Sequence, residues 1–269
     1  MRPPQTHFYG PDAPLPTAES REGQAAKIRQ LLERTARQPL GQATCLEIGC
    51  SSGLITRDLA PLFARTIALE YDWNSLRQAR VPADHEVHFL RGDGMALPLP
   101  DASVGLVICS QVYEHVPDDR QLFAEIRRVL VPGGQVFFSG PNWLYPIEPH
   151  FFLPFLHWLP QKLADAWLRS RGGPAHYYER SRSWWGLRHQ LRHFEIVDLT
   201  HEVVRLRLAG SSAWWARLLR HAPATVWSLL APLLPNFNWA LFKPGGSQVP
   251  SLRTPMKAAA SSATQIANE

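Results

Sequence analysis

The feature that most constrains the fold is a short apolar run followed by a glycine-bearing turn, in residues 44–57. The run ends near Glu47, and the turn from Gly49 to Gly53 leads into a helical pattern. In this strand–turn–helix order, backbone groups can approach a polar ligand at the start of the helix. Because the two glycines carry no Cβ, the chain can bend sharply there. The segment alone also fits an ordinary tight turn, since Ser51 stands where a middle glycine would strengthen a dinucleotide-binding pattern.

Four further motifs follow in order over the next ninety residues. They are an apolar run ending in Glu70, a segment over 89–98 that contains Asp93, Gly94 and Met95, an apolar run over 104–110 followed by 111–116, and a Pro-Gly-Gly turn with an apolar run over 130–139. Together with residues 47–53, this series resembles the class I S-adenosylmethionine-dependent methyltransferases over roughly residues 20–142. Five loosely specified motifs in the correct order are far more specific than any one of them.

The resemblance implies a site for S-adenosylmethionine at the ends of the predicted strands. Glu70 would accept hydrogen bonds from the ribose hydroxyls, Asp93 would accept from the adenine amino group, and Met95 would cover the ring. The predicted cofactor residues are Glu47, Gly49, Cys50, Ser51, Gly53, Glu70, Tyr71, Asp93, Gly94, Met95, Ser110 and Gln111. Three positions depart from the family pattern: Cys50 and Ser51 stand where glycine or alanine is usual, and Gly105 replaces a common acid.

Strands and helices alternate from residue 43 to 139, which predicts a parallel sheet covered on both faces. The predicted fold class is therefore α/β, a doubly wound, mostly parallel seven-stranded sheet of the Rossmann-like methyltransferase type. Residues 181–198 resemble the family's late helix and sixth strand, and residues 200–208 predict a seventh strand at the sheet edge. The predicted segments are an irregular arm over 1–17, the methyltransferase domain over 18–210 with an aromatic lid insertion over about 141–180, an apolar tryptophan-rich cap over 211–243, and a disordered tail over 244–269.

The chain from Ala222 to Phe242 carries no formal charge. Its length matches the ~20 apolar residues that a spanning helix needs, but three prolines and two asparagines argue against spanning. The tryptophans and arginines just before it are typical of a membrane interface. Two interpretations stay open for residues 211–243: a peripheral membrane contact, or a helical cap over the active site or against a second subunit.

Composition limits the compartment and the partners. The three cysteines are odd in number and have no CxxC spacing, which indicates neither a disulfide framework nor a zinc site. The N-terminus shows no apolar core of a signal peptide, so we expect a reduced, cytoplasmic location. A net charge of +5 permits nucleic-acid binding, but the basic residues are spread out, and we expect no nucleic-acid partner.

Methyl transfer is an in-line displacement, and a hydroxyl acceptor must also lose its proton. His115 is the first candidate for the general base, because it follows the fourth predicted strand and an ordinary histidine pKa of ~6.5 suits the task. Alternatively, it orients a loop or contacts the cofactor. Glu148 and His150, stiffened by flanking prolines, form a second catalytic candidate or a lid hinge. Glu114 is expected to face solvent, and without a dense ligand cluster we expect no metal.

The predicted function is methyl transfer from S-adenosylmethionine to a small or lipid-linked acceptor, at oxygen. The tryptophan-rich second half favours an apolar acceptor, and oxygen reflects its frequency in the family. An RNA methyltransferase is the first alternative, although residues 110–113 read Ser-Gln-Val-Tyr where such enzymes carry an Asn-Pro-Pro-Tyr-type motif. The second alternative is a non-catalytic cofactor-binding scaffold, which Cys50, Ser51 and Gly105 keep open.

Overall fold

The computed structural model describes residues 18–80, 85–209, 213 and 221–245. The predicted arm over 1–17 and the predicted tail from residue 246 onward lie outside the described residues. The tryptophans and arginines that suggest a membrane interface, at 214–220, lie outside them as well.

Seven strands form one sheet: β1 (Thr44–Ile48), β2 (Arg65–Glu70), β3 (Val87–Arg91), β4 (Val104–Ser110), β5 (Leu130–Pro141), β6 (Glu195–Asp198) and β7 (Asn236–Phe242). Their order is β3-β2-β1-β4-β5-β7-β6. Strands β1 to β5 pair in parallel, and β7 runs antiparallel to both of its neighbours. The predicted doubly wound, mostly parallel seven-stranded sheet is confirmed. The order reverses between β1 and β4, the switch point at which open α/β sheets bind ligands.

Helices cover both faces of this sheet. Those in the described part of the chain are α1 (Ala18–Thr35), α2 (Leu54–Leu59), α3 (Trp73–Leu76), α4 (Asp119–Val129), α5 (Gln161–Ser170), α6 (Trp184–Gln190), α7 (Thr200–Ala209) and α8 (Ala224–Leu230). Successive strand residues point to opposite faces, so Phe137 and Phe138 belong to different hydrophobic clusters. One cluster packs under α4 and α6, and the other packs under α1, α2 and α7.

Helix α4 shows how local sequence sets an element. The side chain of Asp118 caps its first turn by accepting hydrogen bonds from the backbone N–H groups of Arg120 and Gln121. Its buried residues Leu122, Phe123, Ile126 and Val129 recur at helical spacing on one face. The helix therefore packs against the sheet and positions the loop that precedes it.

The predicted strand over 200–208 is wrong, because these residues form α7. The alternation of arginine and leucine over 205–208 imitates the period of a strand, but Val203 packs in the core at helical spacing. The seventh strand is instead Asn236–Phe242, the end of the run predicted as a cap. Because β7 lies between β5 and β6 with both faces covered, its last four residues, Trp239 to Phe242, are apolar on both sides.

The insertion between β5 and α6 has a small hydrophobic cluster of its own. It contains Leu156, Ala164, Leu168 and Tyr177. Arg182 closes the insertion with a two-bond ion pair to the carboxylate of Asp119, at 2.7 and 2.6 Å. The insertion is therefore anchored to the start of α4. No helix of the described residues has the length and apolar character to cross a membrane.

Candidate active site

A cavity of about 320 Å³ lies at the carboxyl ends of β1, β2, β3 and β4. Its size falls in the ~300–1,000 Å³ range of small-molecule sites. The predicted cofactor residues that line it are Gly49, Ser51, Glu70, Tyr71, Asp93, Gly94, Met95, Ser110 and Gln111, and the predicted catalytic residues that line it are His115 and His150. The fold thus brings residues from four strand ends and the insertion to one site.

The loop after β1 is bent by backbone torsions that favour glycine. Gly49 and Gly53 both have a φ of 76°, and Ser51 has a φ of 51°. A Cβ added at Gly49 would lie 2.7 Å from a methyl carbon of Val112, so the glycine also permits a close packing contact. Positive φ at a residue other than glycine is strained, and such strain is common where a ligand binds.

Glu70 joins this loop to the end of β2. Its carboxylate accepts hydrogen bonds from the backbone N–H of Ser51 at 2.7 Å and of Asp72 at 2.8 Å. Burial raises the pKa of Glu70, and these backbone hydrogen bonds oppose the rise. Each carboxylate oxygen has a further lone pair, so Glu70 can accept two hydroxyl groups from the cavity side.

The loop after β3 is held by a hydrogen bond from the backbone N–H of Met95 to the carboxylate of Asp93, at 2.8 Å. A Cβ added at Gly94 would lie 2.9 Å from Leu122, so this position requires the smallest residue. The loop therefore presents the Asp93 carboxylate and the Met95 side chain to the cavity in a defined geometry.

Three predicted cofactor residues support the first loop instead of lining the main cavity. Glu47 is buried and accepts a hydrogen bond from the Thr56 hydroxyl at 2.6 Å. Burial raises its pKa to about 7, although the Thr56 hydrogen bond opposes the rise. Cys50 packs in a small apolar cluster, and a Cβ added at Gly53 would lie 3.1 Å from the Phe89 ring. Glu47 and Cys50 do border a smaller neighbouring cavity.

Helix α1 contributes residues that the sequence did not indicate. Arg21 borders both the main and the smaller cavity. The side-chain amide of Gln24 donates a hydrogen bond to the Ser110 hydroxyl at 2.9 Å, which ties α1 to the end of β4. The next residue, Gln111, has a φ of 57° and donates from its side chain to the Ser139 hydroxyl at 3.1 Å. No motif in residues 18–35 predicts these contacts of Arg21 and Gln24.

The two predicted catalytic histidines meet on the cavity wall. The ring centroids of His115 and His150 are 4.9 Å apart in an edge-to-face contact. The buried carboxylate of Glu148 lies 2.7 Å from His150 Nδ1, so the predicted Glu148–His150 pair forms. Its other oxygen accepts the backbone N–H groups of His150 and Phe151, at 2.8 and 2.7 Å. Glu148 therefore lies behind His150 and holds it in place.

Glu114 is fully buried, and the expectation that it faces solvent is wrong. Residues 113–115 form a turn and not a helix, so the side chain is directed inward. Glu114 Oε1 lies 3.9 Å from Nε2 of His115 and 3.9 Å from Nε2 of His150. Neither carboxylate oxygen has a hydrogen-bond partner among the described residues. The only indication of this cluster in the sequence is that Glu114 and His115 are adjacent.

Burial and neighbouring charges shift the proton affinities of this cluster. Burial raises the pKa of Glu114 to about 7. Burial and the charge of His150 lower the pKa of His115 to about 3. Burial also works to lower the pKa of His150, but the hydrogen bond to Glu148 and the charges of nearby carboxylates outweigh it and raise that pKa to about 9. The carboxylates include Glu179, a further buried acid that the sequence did not indicate.

Comparison with known proteins agrees with this geometry. Residues 46–138 match the sequence model of a methyltransferase domain. Relatives described as uncharacterized methyltransferases occur in Mycobacteroides abscessus, at 33% identity over 150 residues, and in Mycobacterium bovis, at 36% identity over 154 residues. The matches cover 54% and 56% of this chain and 58% and 60% of the relatives. The S-adenosylmethionine-dependent methyltransferase of Mesorhizobium loti has a similar fold, with a TM-score of 0.53, 16% identity, and coverage of 83% of this chain and all of that chain.

Residues 46–138 are therefore similar in sequence to a methyltransferase domain, and the sheet has the fold of the Mesorhizobium loti methyltransferase. S-adenosylmethionine is the cofactor that this domain implies. The chain spans less than two thirds of the length of the curated relatives it matches. The family match ends at residue 138, so it covers the cofactor loops but not the insertion.

Proposed function

We propose that the protein transfers the methyl group of S-adenosylmethionine to an oxygen atom of a small or lipid-linked acceptor. The observation that carries the proposal is that Glu70 and Asp93 line the same cavity as His115 and His150. The cofactor, when bound, supplies the electrophilic methyl group. The residues of the chain bind the cofactor and orient the acceptor, whose hydroxyl loses its proton as the methyl group is transferred.

The polar groups of the cavity fit the cofactor. Glu70 offers two carboxylate oxygens for ribose hydroxyls, and Asp93 offers an acceptor for an adenine amino group. Arg21 provides a guanidinium group for the carboxylate of the methionine part. The bent loop after β1 leaves room between them. Adenosine-binding residues thus lie near β2 and β3, while the two histidines lie beyond β4.

The acceptor has a second cavity available. A space of about 620 Å³ shares Gln111 with the cofactor cavity. Its wall combines polar and apolar residues from α1, β5, α7 and β7, including Gln24, Lys27, Ser139, Val203, Leu206 and Asn238. A mixed wall of this kind suits an amphiphilic molecule, which supports an acceptor larger than a metabolite of a few atoms.

An exposed apolar stripe supports a peripheral membrane contact. It consists of Val226, Leu229, Leu230 and Leu233, which follow helical spacing along α8 and the 3₁₀ turn after it. Leu229 is 79% exposed and Leu233 is 57% exposed. The chain continues into Leu234, which lines the second cavity. The proposed contact includes fewer residues than the predicted cap over 211–243, because β7, at the end of that range, is buried in the sheet.

Calorimetric titration of the purified protein with S-adenosylmethionine and S-adenosylhomocysteine tests the cofactor step. Binding of both at micromolar concentration is expected. A labelled methyl donor, offered with glycan, lipid and quinone acceptors in turn, then tests transfer to oxygen. Cofactor binding without transfer to any acceptor would favour the scaffold alternative, and the absence of binding would contradict the proposal at its first step.

Flotation with phosphatidylglycerol vesicles tests the membrane contact. The double change Leu229→Ser and Leu233→Ser should reduce vesicle binding several-fold, because it removes apolar area from the proposed contact. The matched control is Leu163→Ser, which changes a 56% exposed leucine on α5. Equal flotation of the two variants would contradict the contact through α8.

A further inference from the structure

We propose that Glu114, His115 and His150 bind one divalent first-row transition-metal ion, such as Zn²⁺, on the acceptor side of the cofactor cavity. One ligand atom from each of the three side chains lies within 4.8 Å of the others. Two imidazole nitrogens and one carboxylate oxygen are a ligand set that such ions accept in catalytic sites. The metal site is argued from geometry alone, and only the role of the ion in methyl transfer rests on the proposed function.

The distances are close to those of a coordinated ion. Glu114 Oε1 lies 3.9 Å from Nε2 of each histidine. For metal–ligand bonds of ~2.1 Å in a tetrahedron, ligand atoms lie ~3.4 Å apart. These two pairs would therefore need to close by about 0.5 Å, and ligand atoms up to 4.8 Å apart by about 1.4 Å.

Glu114 is the independent sign of a missing positive partner. Its side chain is fully buried, and both carboxylate oxygens are without a hydrogen-bond partner in the described part of the chain. A buried ionised carboxylate is costly unless a cation or several hydrogen bonds compensate it. A protonated His150 would form only a loose pair with it, because 3.9 Å exceeds a hydrogen-bond distance. An ion between the three side chains would compensate Glu114 directly.

Glu148 supplies the support that metal-binding histidines usually have. Such a histidine donates its second ring N–H to a carboxylate, which fixes the tautomer and the ring orientation. Glu148 Oε1 lies 2.7 Å from His150 Nδ1, so an Nδ1–H would donate to Glu148, and a bound ion would take the place of the proton on Nε2. The Tyr177 hydroxyl donates to the same carboxylate oxygen at 3.4 Å. Glu148 and Tyr177 of the insertion therefore fix the ring orientation of His150, as is usual for a metal-binding histidine.

The surroundings favour a cation with an open coordination position. Glu179, also buried, adds a third carboxylate to Glu114 and Glu148 near His150. His115 and His150 line the cavity whereas Glu114 lies behind them, so a bound ion would face the cavity. There it would lower the pKa of an acceptor hydroxyl, as Zn²⁺ lowers that of water from ~15.7 to ~7. The proton would pass to solvent, and the oxygen would bond to the methyl carbon as the carbon–sulfur bond breaks.

The test is metal binding to the full chain after removal of metal with a chelator. Titration of Zn²⁺ against a chromophoric chelator should show one tight equivalent. Co²⁺ should give the visible bands of a tetrahedral site without thiolate charge-transfer bands, since the three ligands include no cysteine. His150→Ala and Glu114→Gln should each weaken Zn²⁺ binding at least ~100-fold, and Glu148→Gln should weaken it by ~10–100-fold.

The matched control is His176→Ala, which removes an exposed histidine paired with Asp165 at 3.1 Å, away from the cavity. This variant should bind Zn²⁺ as tightly as the unchanged protein. Circular dichroism checks folding, and His150 is the safer variant because Glu114 is fully buried. The inference is overturned if no equivalent binds, or if His150→Ala and the control bind equally. Calorimetry with S-adenosylhomocysteine on the same samples separates this failure from failure of the cofactor site.

Discussion

Carboxylates have different surroundings in two parts of the site. We call the part around Glu70 and Asp93 the cofactor side, and the part around Glu114, His115 and His150, with the insertion, the acceptor side. On the cofactor side, the carboxylates of Glu70 and Asp93 accept hydrogen bonds from backbone N–H groups of their own or neighbouring loops. On the acceptor side, Glu114 has no such partner among the described residues, although it is more deeply buried. The cofactor side is therefore complete in the protein alone, and the acceptor side is arranged for a group that the chain does not supply.

The comparison extends to packing. Glycines on the cofactor side allow close contacts at Val112, Leu122 and Phe89, so the loops have little freedom. The insertion on the acceptor side has only a small hydrophobic cluster, and it exposes Phe152 and Phe155 to solvent. In the proposed function, the closely packed loops bind the cofactor and the insertion receives the acceptor, a division that would let the substrate vary within one fold.

The largest expected effect tests whether the cofactor side is free of electrostatic cost. Glu47 has its pKa raised by burial from 4.5 to about 7, so the folded protein holds this proton more tightly than the unfolded chain. Stability should therefore fall as the pH rises from ~4.5 to ~7 and stay lower above it. Glu47→Gln should remove up to ~3 kcal/mol of this fall, measured by urea unfolding at pH 5 and pH 8. An unchanged pH dependence would show that Glu47 is ionised without cost.

A slightly smaller effect tests how tightly the acceptor side is packed. A Cβ added at Gly140 would lie 2.4 Å from a ring carbon of Tyr113, which is fully buried against Phe138. Gly140→Ala should lower the free energy of unfolding by about 2–3 kcal/mol, because the ring has no room to move. Gly41→Ala is the control, since nothing lies within 4 Å of its added Cβ. Equal stability of the two variants would mean that this wall is loosely packed.

The smallest effect concerns cofactor binding and separates the two sides most sharply. Glu70→Ala should weaken binding of S-adenosylhomocysteine by about 1–3 kcal/mol, or ~5–150-fold, through loss of charged hydrogen bonds to ribose. Calorimetry measures this change, with the exposed Glu86→Ala as control. Glu114→Gln should leave the same affinity nearly intact, because Glu114 lies on the acceptor side. A large loss of S-adenosylhomocysteine affinity in Glu114→Gln would show that Glu114 also contributes to cofactor binding, and the two sides would then not be separate.

Local sequence determined most of the cofactor side. Glu70, Asp93 and Ser110 each lie at or just after the end of a short apolar run, and parallel strands bring their carboxyl ends to one edge of a sheet. The sequence did not predict that Glu47 and Gly53 support the loop after β1 instead of lining the cavity, since a motif does not show which of its side chains face the ligand. Only the packing of the loop decides that.

Tertiary structure decided the acceptor side. The period of residues 205–208 fits a strand, but α7 forms there because the helix buries Val203 on the sheet. The position beside β5 is taken by β7, whose apolar residues are covered on both faces. Glu114 and His150 are thirty-six positions apart and meet only because the insertion folds back over the turn after β4. Contacts between distant segments leave no local period in a sequence, so the meeting of Glu70, Asp93 and Ser110 at one sheet edge could be predicted from residues while the Glu114–His115–His150 cluster could not.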